Sequence, residues 1–154
     1  MPASQSSRRL FVASLLIGTV LTSSSCSHSA PQTFVRSADQ SGVWKSIELA
    51  ETSDKARLWS TTVDALTTKY DIEVLDRDSG YLRTTWKFTT VEAGNVDRNY
   101  RTRFIAKFNN SWTVLQVKSE AEWLYSGNWV TGYDSKTLED VYGDLQGRLG
   151  RTRK

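Results

Sequence analysis

The chain holds one cysteine, Cys26, and one histidine, His28, among 154 residues, and that scarcity limits its chemistry. A Ser–His–Asp relay needs an imidazole among the folded elements. His28 instead lies in a Ser- and Ala-rich stretch beside Cys26, with no partner ligand near it, and reads as a solvated linker residue. A lone cysteine forms no internal disulfide. There is no G-x-x-x-x-G-K phosphate loop and no clustered metal-ligand set. Glu73, Asp76, Asp78 and Asp97 lie near turns, but a calcium loop needs oxygen ligands at alternate positions through a longer acidic stretch. A two-carboxylate hydrolase needs a pair, and nothing in the spacing selects one. The chain is therefore read as non-enzymatic, with no cofactor and no metal.

The side chains with more to offer are basic and aromatic. Arg83, Lys87, Arg101, Arg103, Lys107 and Lys118 fall at alternate positions of predicted strands, with Tyr81 among them. Alternation puts them on the sheet face opposite the core. Such a face would take anionic groups: phospholipid heads, lipopolysaccharide phosphates or an acidic partner. A solvated face, its charge offset by Glu92, Glu120 and Glu122, is the competing reading, and Ile105 on the same face favours a partner. Tyr125, Trp129 and Tyr133 lie in a Gly-containing segment before the last helix and form a second candidate. If exposed, they dock protein or membrane, burying large area at low entropic cost. If not, the segment folds over the sheet end and plugs the core.

Where these surfaces would work is set by the N-terminal stretch SRRLFVASLLIGTVLTSSSC, Ser7–Cys26. Two cations precede a charge-free run, Leu10–Leu21, then small polar residues, then Cys26, which is the order of a secretory signal. The run is shorter than the ~20 residues a spanning helix needs. A cysteine after small residues resembles the lipobox of bacterial lipoproteins, which implies a diacylated Cys26 as the mature N-terminus. Ser23 stands where a leucine is usual, so a cleaved soluble protein and an uncleaved anchor stay open. Arg8-Arg9-Leu10-Phe11 also looks like a twin-arginine export motif, against an ordinary positive n-region.

Removing residues 1–25 takes Arg8 and Arg9 and no acid, leaving 18 Lys and Arg against 17 Asp and Glu. Near-neutrality argues against nucleic acid as a partner. Residues 26–41, SHSAPQTFVRSADQS after the cysteine, read as a flexible tether in which Phe34 and Val35 dock locally. Residues 42–150 are long enough for a single core, and residues 151–154 are a basic tail.

The elements that must position the candidates follow from periodicity. Residues 42–49 alternate as a short strand, with Val43, Lys45, Ile47 and Leu49 set against Trp44, Ser46 and Glu48. Trp59, Val63, Leu66 and Tyr70 recur at helical spacing behind an N-cap group, predicting a helix over Asp54–Tyr70. A strand begins at Ile72, and Asp76–Gly80 is a turn. Tyr81–Thr90 alternates, with Leu82, Thr84, Trp86 and Phe88 towards the core. A polar loop tipped by Gly94-Asn95 leads into Tyr100–Phe108, and Trp112–Trp123 is the final strand. Leu138, Val141, Tyr142, Leu145 and Leu149 mark a last helix capped by Asp134 or Ser135. Gly150 is expected in the left-handed C-cap conformation. The sum is an α+β domain, an antiparallel meander of four to five strands with two helices on one face, helix-grip-like.

Trp59-x3-Val63-x2-Leu66, Ile72-x-Val74, Asp78-x-Gly80 and Thr84-x-Trp86 resemble the repeated module of the BamC/NlpB lipoproteins, outer-membrane lipoproteins that accompany the β-barrel assembly machine. The resemblance covers roughly residues 47–149. That family usually has two such modules and a long N-terminal partner-binding segment, where this chain has one module and a short tether. The resemblance implies a lipid-anchored, outer-membrane accessory or structural subunit facing the periplasm, with a protein partner in the envelope. A module holding a small apolar or anionic ligand is the alternative, in a pocket lined by Trp86, Phe104, Phe108 and Trp123. An envelope hydrolase is the third.

Overall fold

The computed structural model describes residues 29–37, 43–50, 54–90 and 95–151. The signal stretch, Cys26, His28, Glu92 and the tail from 152 onward lie outside them. The elements are β1 (Phe34–Arg36), β2 (Lys45–Glu48), α1 (Lys55–Thr67), β3 (Ile72–Asp76), β4 (Tyr81–Thr84), β5 (Lys87–Thr90), β6 (Val96–Phe108), β7 (Val114–Tyr125), β8 (Asn128–Asp134) and α2 (Ser135–Leu149).

Helix α1 starts where its cap allows. Asp54 Oδ1 accepts from the Arg57 N–H at 3.1 Å, and Leu58, Trp59, Thr62, Ala65 and Leu66 make the buried stripe. Helix α2 starts at Asp134, whose Oδ1 accepts from Thr137 N–H at 2.7 Å, and buries Leu138, Val141, Leu145 and Leu149. Both stripes meet one face of the sheet, against Ile47, Leu82, Phe104, Ala106, Phe108, Leu115 and Val117. Each fully buried large side chain contributes roughly 1.5–3 kcal/mol. Gly150 departs from expectation. Its φ of −66° and ψ of 148° are extended, because the end of α2 pairs with the end of β2 through a Leu49–Gly150 bridge and Arg151 N–H to Glu48 O at 2.8 Å.

The eight strands form one antiparallel sheet in the order β1-β8-β7-β6-β4-β3, with β2 on β7 and β5 on β6. That exceeds the expected four to five, for three physical reasons. The segment read as an aromatic loop is a hairpin: Ser126 and Gly127 take positive φ of 49° and 80°, the primed-turn geometry that suits strand twist, and Trp129 then pairs with Leu124. Part of the segment read as a tether is a strand, with Phe34, Val35 and Arg36 in register with Asp134, Tyr133 and Gly132 of β8. The strand predicted over 81–90 is broken at Thr85–Trp86.

That break has the largest consequence. Thr84 is fully buried, its hydroxyl accepts the Phe104 N–H at 2.9 Å, and Thr85 N–H turns away to Asp71 O at 2.8 Å. Leu82 is opposite Ala106, but Lys87 is opposite Thr102 and Phe88 opposite Arg101. The register has shifted by one, so Lys87 and Phe88 change face, before a second irregularity between Phe88 and Thr89. Lys87 therefore lies on the helix side, donating to Lys69 O at 2.6 Å and 5.2 Å from the Tyr70 ring. Phe88, expected in the core, is 37 % exposed.

A buried knot ties the added strand to the rest. Asp134, 2 % exposed, accepts from the hydroxyls of Tyr100 and Thr33, each at 2.6 Å. Ser135 N–H donates to Thr33 O at 2.9 Å, so the chain before β1, the middle of β6 and the start of α2 meet at one carboxylate.

Candidate functional site

The sheet face away from the helices carries a ladder of charge. Register places Arg101 opposite Glu122, Arg103 opposite Glu120 and Ile105 opposite Lys118. Directly opposed side chains on antiparallel strands reach each other, and here they pair. Arg101 Nε donates to Glu122 Oε2 at 2.7 Å and Arg103 Nε to Glu120 Oε2 at 2.6 Å. Lys118 Nζ reaches Glu120 Oε1 at 2.8 Å. From β3, Glu73 holds Arg83 in a two-point contact at 3.0 and 3.1 Å. Burial pushes the Glu120 pKa up, but contacts from Lys118 and Arg103 outweigh it and hold the carboxyl below its ordinary value.

Three tryptophans flank the ladder: Trp44 just before β2, Trp86 in the break between β4 and β5, and Trp129 in β8. The Arg101 guanidinium lies 4.3 Å from the Trp129 ring and 4.9 Å from Trp86. Arg103 is 4.3 Å from Trp86, and Lys118 Nζ is 5.2 Å from Trp44. Such contacts contribute roughly 0.5–1 kcal/mol each at exposed sites. The break at Thr85–Trp86 is what puts Trp86 here. Trp129 is 36 % exposed and Trp44 40 %, so rings and guanidinium edges share one accessible surface.

The candidate residues are thus sorted. Arg83, Arg101, Arg103 and Trp129 come together on this face. Lys107 lies on it too, exposed at its far end between Tyr81 and Gln116. Lys87 is on the opposite face. Tyr133 is half-buried and packs against the core cluster, while Tyr125 is 55 % exposed at the β7–β8 turn. Trp86 was missed, because Thr84-Thr85-Trp86 continues an unbroken alternation and nothing in it marks the break. Glu73 was weighed as a turn carboxylate rather than as the Arg83 partner.

Asp76 and Asp97 are committed locally. Asp76 Oδ1 accepts from Asp78 N–H and Ser79 N–H at 3.1 and 3.2 Å, and Asp97 Oδ1 accepts from Asn99 N–H at 2.8 Å. Among the described residues no group of three or more His, Cys, Asp and Glu is placed to hold a metal. The expected apolar pocket does not assemble. Phe104 and Phe108 are closed within the core at 1 % and 2 % exposure, Trp86 is on the other face, and Trp123 packs at the sheet end against Phe34 and Tyr125. Among the described residues no helix is long and apolar enough to cross a membrane.

No family model matches the chain, and no curated protein matches it.

Because one carboxylate serves two cations, Glu120→Gln should be costly for a surface change. Removing it leaves Arg103 and Lys118 close together and half-desolvated, and the loss should be about 2–3 kcal/mol. Urea denaturation checks this. A change under about 0.5 kcal/mol, the usual range for a surface substitution, would show that the ladder is solvated rather than coupled.

Proposed function

We propose that this chain is a non-catalytic accessory or structural subunit of the bacterial cell envelope, held on a membrane through an acylated Cys26 and binding a protein partner through the outer face of its sheet. The observation that carries this reading is the grouping of Trp44, Trp86 and Trp129 around Arg101 and Arg103 on one accessible face. Tryptophan and arginine are the residues most enriched where binding energy concentrates. Pre-pairing of Arg101 and Arg103 with glutamates makes the face a mixed-charge surface, better suited to a protein than to a purely anionic layer. The helix-grip-like arrangement and the outer-membrane barrel-assembly setting belong to the same reading and rest on the BamC/NlpB resemblance.

Tether length supports the placement. Cys26 is eight residues before Phe34, a span of at most about 28 Å when extended. Since β1 is built into the sheet, the anchor keeps the domain against the membrane that holds it.

The test uses Trp129→Ala, which removes a ring without breaking the charge ladder. Charge reversal at Arg101 and Arg103 would set Glu against Glu122 and Glu120 and confuse binding with folding. In mild-detergent purification of the membrane-bound protein, recovery of barrel-assembly components should fall by roughly tenfold or more, while Tyr125→Ala at the turn leaves it unchanged. Equal recovery from wild type and Trp129→Ala would contradict the reading. Mass spectrometry of the mature N-terminus tests the anchor, and an unmodified Cys26 thiol would refute it.

A further inference from the structure

Beneath Trp86 a cleft of about 290 Å³ opens on the outer face, with Arg103, Lys118, Glu120, Glu122 and Thr131 in its lining. Its volume is near the low end of small-molecule sites, roughly 300–1,000 Å³. It lies where β7 changes neighbour. Strand β2 pairs with β7 as far as Val117, β8 begins its pairing at Ala121, and residues 118–120 face the gap between the two.

Lys118 lines that gap at only 8 % exposure. An ammonium has three donors, and the carboxylate that reaches it, Glu120 Oε1 at 2.8 Å, belongs to a group already shared with Arg103. Glu122 is held by Arg101, and Glu73 by Arg83 with Arg103 at 3.7 Å. Among the described residues the network joins four cations, Arg83, Arg101, Arg103 and Lys118, to three carboxylates. One positive charge is in excess, and Lys118 and Arg103, sharing one glutamate, place it in the cleft. Burying charge without compensation is unfavourable, so an entering anion is stabilised there. A single negative charge balances the excess, whereas a dianionic phosphate monoester would leave net negative charge beside Glu120 and Glu122.

We propose that this cleft binds the carboxylate of a small organic acid, with Lys118 and Arg103 facing the charge and the body of the molecule packed on Trp86. The cleft shares Trp86 and Arg103 with the protein-docking face, but its test is separable, since Trp129→Ala leaves the cleft lining in place.

Titration of the full chain with benzoate and with glucuronate, followed by NMR of the Trp86 indole, should give saturable binding. Benzamide and glucose, which offer the same kinds of body without the charge, should bind at least about tenfold more weakly. Lys118→Met should lose about tenfold or more in affinity, with thermal unfolding verifying that it is folded, while Lys107→Met should bind as wild type. Thr131→Val, a milder change in the lining, should also weaken binding without affecting folding. Equal binding of benzoate and benzamide, or of wild type and Lys118→Met, would overturn the proposal. So would preferential binding to phosphatidylglycerol over phosphatidylcholine vesicles with no response to either carboxylate, which would make the face a flat lipid-contacting surface.

Discussion

Replacing Asp134 with alanine should destabilise the domain by about 3–4 kcal/mol, because three hydrogen bonds to a charged acceptor, one of them the cap of α2, are lost at once. Tyr100 Oη, Thr33 Oγ1 and Thr137 N–H all donate to this carboxylate, and Tyr100 is itself 2 % exposed. Asp134→Asn keeps the shape and allows both hydroxyls to reorient, so it should cost less, about 1–2 kcal/mol. The pH dependence follows from the same contacts. Burial pushes the Asp134 pKa up, but the hydrogen bonds from Thr33, Tyr100 and Thr137 win and hold it below the ordinary carboxylate value. A carboxyl whose folded pKa lies below its unfolded value of about 3.9 contributes stability above that pH, and loses it as pH falls through the folded value. Burial and the nearby carboxylate push the Tyr100 hydroxyl well above its ordinary range, so it stays a donor throughout. Urea denaturation across the acid range should show wild type losing stability more steeply than Asp134→Asn. Parallel curves would mean that the Asp134 pKa is the same in the folded and unfolded states, so that these hydrogen bonds do not favour the charged form.

A second large loss is expected for Phe108→Ala, about 3–5 kcal/mol for an emptied aromatic site. Phe108 is 2 % exposed and stacks on Trp112 at 4.3 Å, with Trp59 at 6.3 Å. Its Cβ is also what fills the space over Gly80, where an added methyl would stand 2.9 Å away at a φ of +65°, so the β3–β4 turn and β6 interlock here. Phe88→Ala is the informative contrast. Unbroken alternation makes Phe88 a core residue, and the register shift at Thr85–Trp86 makes it a surface one. Its substitution should change stability by no more than about 0.5 kcal/mol. Equilibrium unfolding of both variants decides the matter, and a loss at Phe88 comparable to that at Phe108 would refute the shift.

Periodicity carried the two helices well, since Trp59, Val63 and Leu66, and then Leu138, Val141, Leu145 and Leu149, recur at helical spacing, although α1 ends at Thr67 and leaves Tyr70 beyond it. It carried β7, and β6 from Tyr100 on, where long alternation fixes which of Arg101, Thr102, Arg103 and Phe104 point inward, but β6 begins at Val96, within the segment read as a polar loop, because Val96 and Asp97 pair with β5. It failed where a side chain replaces a backbone partner. Thr84 accepts the Phe104 N–H, and a threonine in a strand gives no hint that its hydroxyl, rather than a carbonyl, closes the ladder. That single substitution of partners sent Trp86 and Lys87 to opposite faces from those expected. The hairpin at Ser126-Gly127 was hidden by its flanks, because Tyr125, Trp129 and Tyr133 suited a docking loop as well as paired strands. Strand β1 was hidden by length, since three residues in a Ser-rich stretch carry no periodicity and take their strand character from β8.

The central claim is that the tryptophan- and arginine-bearing outer face meets a protein in the envelope. A photoreactive phenylalanine derivative, which keeps an aromatic ring, placed at position 129, and separately at Ser60 and Asp140 on the helices, would test it in growing cells. Irradiation should yield a discrete adduct with an envelope protein from position 129 and none from either helix position. No adduct from position 129, or the same adduct from all three, would contradict the claim.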